Sequence, residues 1–91
     1  MTHNVYNFGA GPAMLPDEGV EATAQAVRDF DGMGLSLMEI GHRTPQFKAV
    51  LAEAQSLMKE LLHVPEGYSV LFLGGGARLQ FDMIPMNLLH H

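Results

Sequence analysis

Apolar residues recur at three- and four-residue steps in three stretches of the chain, and that spacing predicts three helices. The most regular run is Phe47, Val50, Leu51, Ala54, Leu57, Met58, Leu61 and Leu62. Thr44 and Pro45 stand before it as N-cap and first helical residue, and His63-Val64-Pro65-Glu66-Gly67 ends it. An earlier helix starts at Pro16, with Asp17 and Glu18 in the first turn, where carboxylates favour the positive helix end. Val20, Thr23 or Ala24, Val27 and Phe30 continue it, and Asp31-Gly32-Met33-Gly34 stops it. A third helix starts at Ala77 and runs through Leu79, Phe81, Ile84 and Leu88, with Pro85 expected to kink it.

Between the last two helices the period changes. Tyr68-Ser69-Val70-Leu71-Phe72-Leu73 is a short apolar run bounded by turn residues, the signature of a buried strand. Leu35 to Ile40 is too short for a helix of its own and reads as extended or irregular. Residues 1–15 read as a loop, because Asn7-Phe8-Gly9-Ala10-Gly11-Pro12 packs two glycines and a proline into six positions. The order loop, helix, loop, helix, strand, glycine turn, helix belongs to the α/β class. A lone strand cannot satisfy its N–H and C=O groups, so the partner strands are expected beyond residue 91, and the chain is expected to be part of something larger.

Composition narrows the function classes. A chain of 91 residues holds at most one small domain, and 47% hydrophobic with 16% charged residues is a globular composition rather than a disordered one. The formal charge is −5, and the cations Arg28, Arg43, Lys48, Lys59 and Arg78 are scattered, so no basic stripe follows a nucleic-acid backbone. Without cysteine there is no disulfide, thiolate metal site or cysteine nucleophile. The first residues lack the basic region and apolar run of a secretory signal, and no stretch reaches the roughly 18 apolar residues of a membrane span. A cytoplasmic location is expected.

The junction from Leu73 to Gln80 carries the most chemical information. Glycines at a strand-to-helix turn let backbone N–H groups approach a ligand, and the new helix points its positive end there. Arg78 in that first turn is unfavourable by some tenths of a kcal/mol against the helix dipole unless an anion lies between them. Two readings stand on the residues alone, an anion site and a tight turn with a solvated arginine. Neither a Walker loop nor a dinucleotide fingerprint is present, since no Gly-Lys-Ser/Thr follows and Leu79 replaces the third glycine. His42-Arg43 lies on a loop before a helix, where an arginine can fork onto a carboxylate or phosphate; by residues alone a solvated pair is the simpler reading. His3, His63, His90 and His91 show no ligand spacing, so no metal site is expected. Lys48 and Lys59 read as solvated, and the seven methionines as packing.

Four segments together resemble the phosphoserine aminotransferase family. They are Asn7-Phe8-Gly9-Ala10-Gly11-Pro12-Ala13-Met14-Leu15-Pro16, Met38-Glu39-Ile40-Gly41-His42-Arg43, Tyr68 through Gly74-Gly75-Gly76-Ala77-Arg78-Leu79-Gln80-Phe81, and Pro85-Met86-Asn87-Leu88-Leu89. The resemblance implies a fold-type I, class V transferase dependent on pyridoxal phosphate, with this chain supplying helices and the first strand of the large-domain sheet. It implies a loop over 1–15 that approaches the active site and the start of the cofactor domain over 16–91. Such enzymes are homodimers that move an amino group between L-glutamate and 3-phosphohydroxypyruvate, giving O-phosphoserine for serine synthesis and, in some bacteria, serving pyridoxine synthesis. By motif match, Gly76, Ala77 and Arg78 fall at the turn that holds the cofactor phosphate. His42 and Arg43 match the loop that receives the acidic side chain of the substrate, and Ala10 lies in a loop that approaches substrate through its backbone.

Two departures stand beside the match. Gly41 occupies a position where the family commonly has serine. The family's chain is several times longer, and the lysine that carries its cofactor covalently lies beyond residue 91, so no catalytic residue is assigned here and the segment alone is expected to be inactive. The alternative is a non-catalytic anion-binding or interaction segment derived from that fold.

Overall fold

The computed structural model describes residues 5–90. The expectations for His3 and His91, and for the first four residues of the 1–15 loop, concern positions outside that range. Three α-helices and one short 3-10 turn make up the regular structure: α1 (Asp17–Arg28), the 3-10 turn (Leu37–Glu39), α2 (Pro45–Leu61) and α3 (Gly76–Leu88). The chain divides into two units between Lys48 and Ala49.

Helix α1 starts where proline and the two carboxylates place it. The Pro16 carbonyl accepts from the N–H groups of Gly19 (3.0 Å) and Val20 (3.1 Å), and Asp17 and Glu18 occupy the first turn. The helix ends at Arg28, short of Phe30. Asp29 leaves it in an extended conformation, and its carboxylate accepts from the Gly34 N–H at 2.7 Å. The Phe30 N–H donates to the Leu35 carbonyl at 2.7 Å, so the chain folds back over a loop in which Asp31, Gly32 and Gly34 all have positive φ. Local hydrogen bonding by the Asp29 side chain thus competes with the last helical turn.

Leu35 to Ile40 is more ordered than the sequence reading of an extended or irregular run. Ser36 caps a 3-10 turn: its hydroxyl accepts from the Met38 N–H (3.2 Å), and its own N–H donates to the Glu39 carboxylate (2.9 Å). This is the reciprocal arrangement of a capping box. The turn contacts α1.

Helix α2 matches its expected span. The Thr44 hydroxyl accepts from the Phe47 N–H at 3.3 Å, an N-cap bond ahead of Pro45. At the other end the His63 N–H donates to the Glu60 carbonyl (3.3 Å) and the Val64 N–H to the Lys59 carbonyl (2.9 Å). With His63 at φ 51, these are the paired bonds of a Schellman motif.

The strand expected over Tyr68–Leu73 is not formed; among the described residues there is no strand at all. The reason is the one that makes a lone strand untenable: no second segment offers a ladder of donors and acceptors. Two bonds substitute among the described residues: the Tyr68 N–H donates to the Pro65 carbonyl at 3.3 Å, and the Gln55 side-chain amide to the Val70 carbonyl at 3.0 Å. Helix α3 begins at Gly76, one residue before Ala77, and its helical backbone continues across Pro85 to Leu88.

Among the described residues no hydrophobic side chain is buried, and Ser36, at 8% exposure, is the one buried polar residue. The apolar faces legible in the sequence are present as stripes on helices, half-buried at Val20, Ala24, Phe47, Ala54 and Met58 but nowhere fully buried among the described residues.

Candidate functional site

Gly75 sets the entry to α3. It takes φ 94 and ψ −3, a left-handed conformation that costs glycine little and other residues much. The Leu79 side chain closes over it: a Cβ added at Gly75 would overlap Leu79 Cδ2 and lie 2.6 Å from Leu79 Cβ. Gly76 follows at φ 61, and a Cβ there would meet nothing within 4 Å, so its backbone faces open space. The first helical bond of α3 runs from the Leu79 N–H to the Gly75 carbonyl at 3.4 Å. Helix geometry then leaves the N–H groups of Gly76, Ala77 and Arg78 without intrahelical acceptors.

The structure thus brings Gly76, Ala77 and Arg78 together as the first turn of α3. Beside them is an open hollow of about 310 Å³ lined by Gly75, Arg78, Leu79 and Asp82. Three orphan N–H donors, the positive helix end and a guanidinium suit a phosphate group. Asp82 is the opposing element, one helical turn from Arg78 on the same face. Asp82 lines the same hollow as Arg78 and sets a negative charge against an anion there, while Gly76 and Ala77 are not among the lining residues. The rest of α3 carries a second hollow of about 350 Å³, lined by Ala77, Gln80, Phe81, Ile84 and Pro85 and almost wholly apolar.

His42 and Arg43 are the two central residues of a turn. The Gly41 carbonyl accepts twice from Thr44, from its N–H at 3.1 Å and from its hydroxyl at 2.8 Å. Both side chains at the tip are exposed. Gly41 has no positive φ, and a Cβ there would meet only the Thr44 Cγ2 at 4.0 Å, so the serine common in the resembled family would fit this backbone.

Ala10 lies in the exposed loop before α1. That loop is shaped by Asn7, whose side-chain oxygen accepts from the Gly9 N–H at 2.9 Å and whose N–H points to the Met14 sulfur at 3.0 Å. The fit at Gly9 is tight, since a Cβ there would lie 3.0 Å from the Pro12 carbonyl oxygen and 3.1 Å from the Asn7 side-chain oxygen. Among the described residues no hydrogen bond joins Ala10 to His42 or Arg43.

Three features lie outside the sequence reading. The Ser36-x-x-Glu39 spacing announces a capping box and was there to find. Asp82, four residues after Arg78, also had a readable spacing. The Gln55 bond to Val70 spans fifteen residues and leaves no local signal. Among the described residues no group of three or more His, Cys, Asp or Glu is placed to hold a metal ion, and no helix is long and apolar enough to cross a membrane.

Comparison with known proteins gives one answer. The family model described as aminotransferase class-V matches residues 5–91. A phosphoserine aminotransferase of Phocaeicola vulgatus is 64% identical over 84 residues, covering 92% of this chain and 24% of the relative. One from Bacteroides thetaiotaomicron is 61% identical over the same length, again covering 24% of the relative. The solved structure of a phosphoserine aminotransferase with bound pyridoxal phosphate, from Trichomonas vaginalis, superposes with a TM-score of 0.84 at 40% identity. That match covers 92% of this chain and 23% of the solved one. The chain spans about a quarter of the length of the curated relatives it matches. Matched along nearly its whole length and sharing both sequence and fold with these enzymes, the chain belongs to the aminotransferase class-V family.

Proposed function

We propose that this chain forms part of a phosphoserine aminotransferase, which moves an amino group between L-glutamate and 3-phosphohydroxypyruvate to give O-phospho-L-serine. The observation that carries the reading is the 64% identity to an enzyme of that name, along 92% of the chain. The first turn of α3 supports it independently, because its free N–H groups and Arg78 suit the phosphate of pyridoxal phosphate. When bound, pyridoxal phosphate supplies the electron sink for amino-group transfer.

In this reading Gly76, Ala77 and Arg78 hold the cofactor phosphate, the first two through backbone N–H groups and Arg78 also through its guanidinium. His42 and Arg43 bind the acidic end of the substrate at the tip of the Gly41–Thr44 turn. Both substrates carry an anionic group remote from the reacting carbon, which one cationic tip can serve in both halves of the reaction. Ala10 approaches substrate through its backbone, as part of the loop over 1–15 that precedes the cofactor domain over 16–91. Tyr68–Leu73 becomes the first strand of a sheet whose other strands lie outside this chain. The lysine that bears the cofactor also lies outside it. The enzyme works as a homodimer in the cytoplasm, in serine synthesis and in some bacteria also in pyridoxine synthesis.

The test is an intact mass of the purified native protein, an absorbance scan for bound pyridoxal phosphate, and an assay of glutamate with 3-phosphohydroxypyruvate. A mass several times that of 91 residues, a cofactor band and O-phosphoserine production are expected. A mass matching 91 residues without a cofactor band would leave the family membership and remove the activity, favouring the non-catalytic alternative.

A further inference from the structure

Only Ile40 to Thr44 separates the 3-10 turn from α2, and both ends of that short link are pinned. Downstream, Thr44 bonds twice to the Gly41 carbonyl and caps α2 through the Phe47 N–H. Upstream, the Glu39 carboxylate accepts from the Ser36 N–H at 2.9 Å while the Glu39 N–H donates to the Ser36 carbonyl at 2.8 Å. Ser36 is also the one buried polar residue among those described, and its turn contacts α1.

Glu39 lies four residues before Arg43, near enough in sequence to compete for its guanidinium. Among the described residues it does not: its bond is to Ser36, and no ion pair joins it to Arg43. The carboxylate is engaged where it fixes the backbone, and the Arg43 charge stays available.

We propose that Glu39 is a positioning residue for the His42–Arg43 tip, acting as a hydrogen-bond acceptor for Ser36 and not as a charge partner of Arg43. The inference rests on the transaminase reading above, in which that tip binds the anionic end of the substrate. Removing the acceptor lets the link sample other conformations, and apparent affinity falls by the fraction of time the tip spends away from its binding geometry.

The experiment is steady-state kinetics on the full-length holoenzyme containing this sequence, with Glu39→Ala, Glu39→Asp and Glu39→Gln. Loss of a cap of ordinary strength, about 1 kcal/mol, predicts that Glu39→Ala raises KM by up to about fivefold for both L-glutamate and 3-phosphohydroxypyruvate. The change in kcat is expected to be smaller, and the cofactor absorbance to stay as in the wild type. Glu39→Gln keeps an acceptor oxygen at the same reach and is expected to stay within about twofold of wild type. Glu39→Asp, one methylene shorter, weakens the same bond without removing the acceptor; it is expected to raise KM in the same direction by a smaller factor, and it decides the matter if the alanine variant does not fold. An unchanged KM in both Ala and Asp variants overturns the proposal. So does a Gln variant as impaired as Ala, which would assign the effect to charge. A fall in kcat and cofactor absorbance with KM unmoved would make Glu39 merely structural and equally overturns it. A wild-type enzyme without glutamate transaminase activity fails the reading above instead, and takes this inference with it.

Discussion

The Thr44 hydroxyl donates to the Gly41 carbonyl at 2.8 Å and accepts from the Phe47 N–H at 3.3 Å, so one side chain closes a turn and opens a helix. Replacing Thr44 by alanine removes both bonds. The expected loss is about 1 kcal/mol of stability, the usual cost of an N-cap, with serine retaining most of it. Denaturant titration of the holoenzyme checks this. A Thr44→Ala midpoint equal to wild type at equal slope would show that the cap contributes nothing.

Gly75 makes the sharper prediction. Its φ of 94 and the Leu79 side chain over it exclude a Cβ twice, once through the backbone and once through overlap. Gly75→Ala is expected to cost at least about 1–2 kcal/mol from the left-handed conformation alone. The overlap adds to that by displacing Leu79 and, with it, the start of α3. Gly74→Ala is the matched control, since Gly74 has no positive φ and a Cβ there meets nothing within 4 Å. Thermal denaturation of the pair of variants should separate them clearly. Equal melting temperatures would refute the conformational argument.

These particular residues also mark what the sequence made legible. Thr44-Pro45, Pro16 with its acidic first turn, and the Gly74–Gly76 turn announced their structures because caps, helix starts and glycine turns are decided by neighbours within four residues. The misplaced end of α1 has the same local origin, read with the wrong competitor: Asp29 bonds Gly34 instead of letting the helix reach Phe30. Tyr68–Leu73 is a different case. Its apolar pattern is a statement about a sheet, and a sheet is a relation between segments; among the described residues none pairs with this one. The candidate site divides likewise. The anion reading of the glycine turn rests on glycines and a helix end, whereas the roles proposed for His42, Arg43 and Ala10 rest only on resemblance.

Arg78 distinguishes the two readings of the glycine turn left open by the residues alone. If its guanidinium meets the cofactor phosphate, Arg78→Ala is expected to weaken pyridoxal-phosphate binding about tenfold, the range of one partly exposed charge-assisted bond. Binding to wild type should also weaken as salt rises, and the variant should lose part of that dependence. Fluorescence titration of the apoenzyme with pyridoxal phosphate measures both. Wild-type affinity and an unchanged salt slope in Arg78→Ala would return the arginine to its solvated reading and leave the backbone N–H groups as the whole of the site.

The uncovered apolar faces make a prediction about the 91-residue chain by itself. Leu71 and Phe72, directly after the bonded Val70, are 70% and 53% exposed, and Phe81 on α3 is 81% exposed. With no hydrophobic side chain buried among the described residues, nothing cooperative opposes the conformational entropy of the free chain. The isolated chain is therefore expected to show helical far-ultraviolet dichroism, strong binding of a hydrophobic dye and a broad, gradual thermal transition, or else to aggregate. Calorimetry together with near-ultraviolet dichroism is the deciding measurement. A sharp transition whose calorimetric and van't Hoff enthalpies agree would mean that the chain builds a core of its own, and the dependence of its apolar stripes on further segments would have to be abandoned.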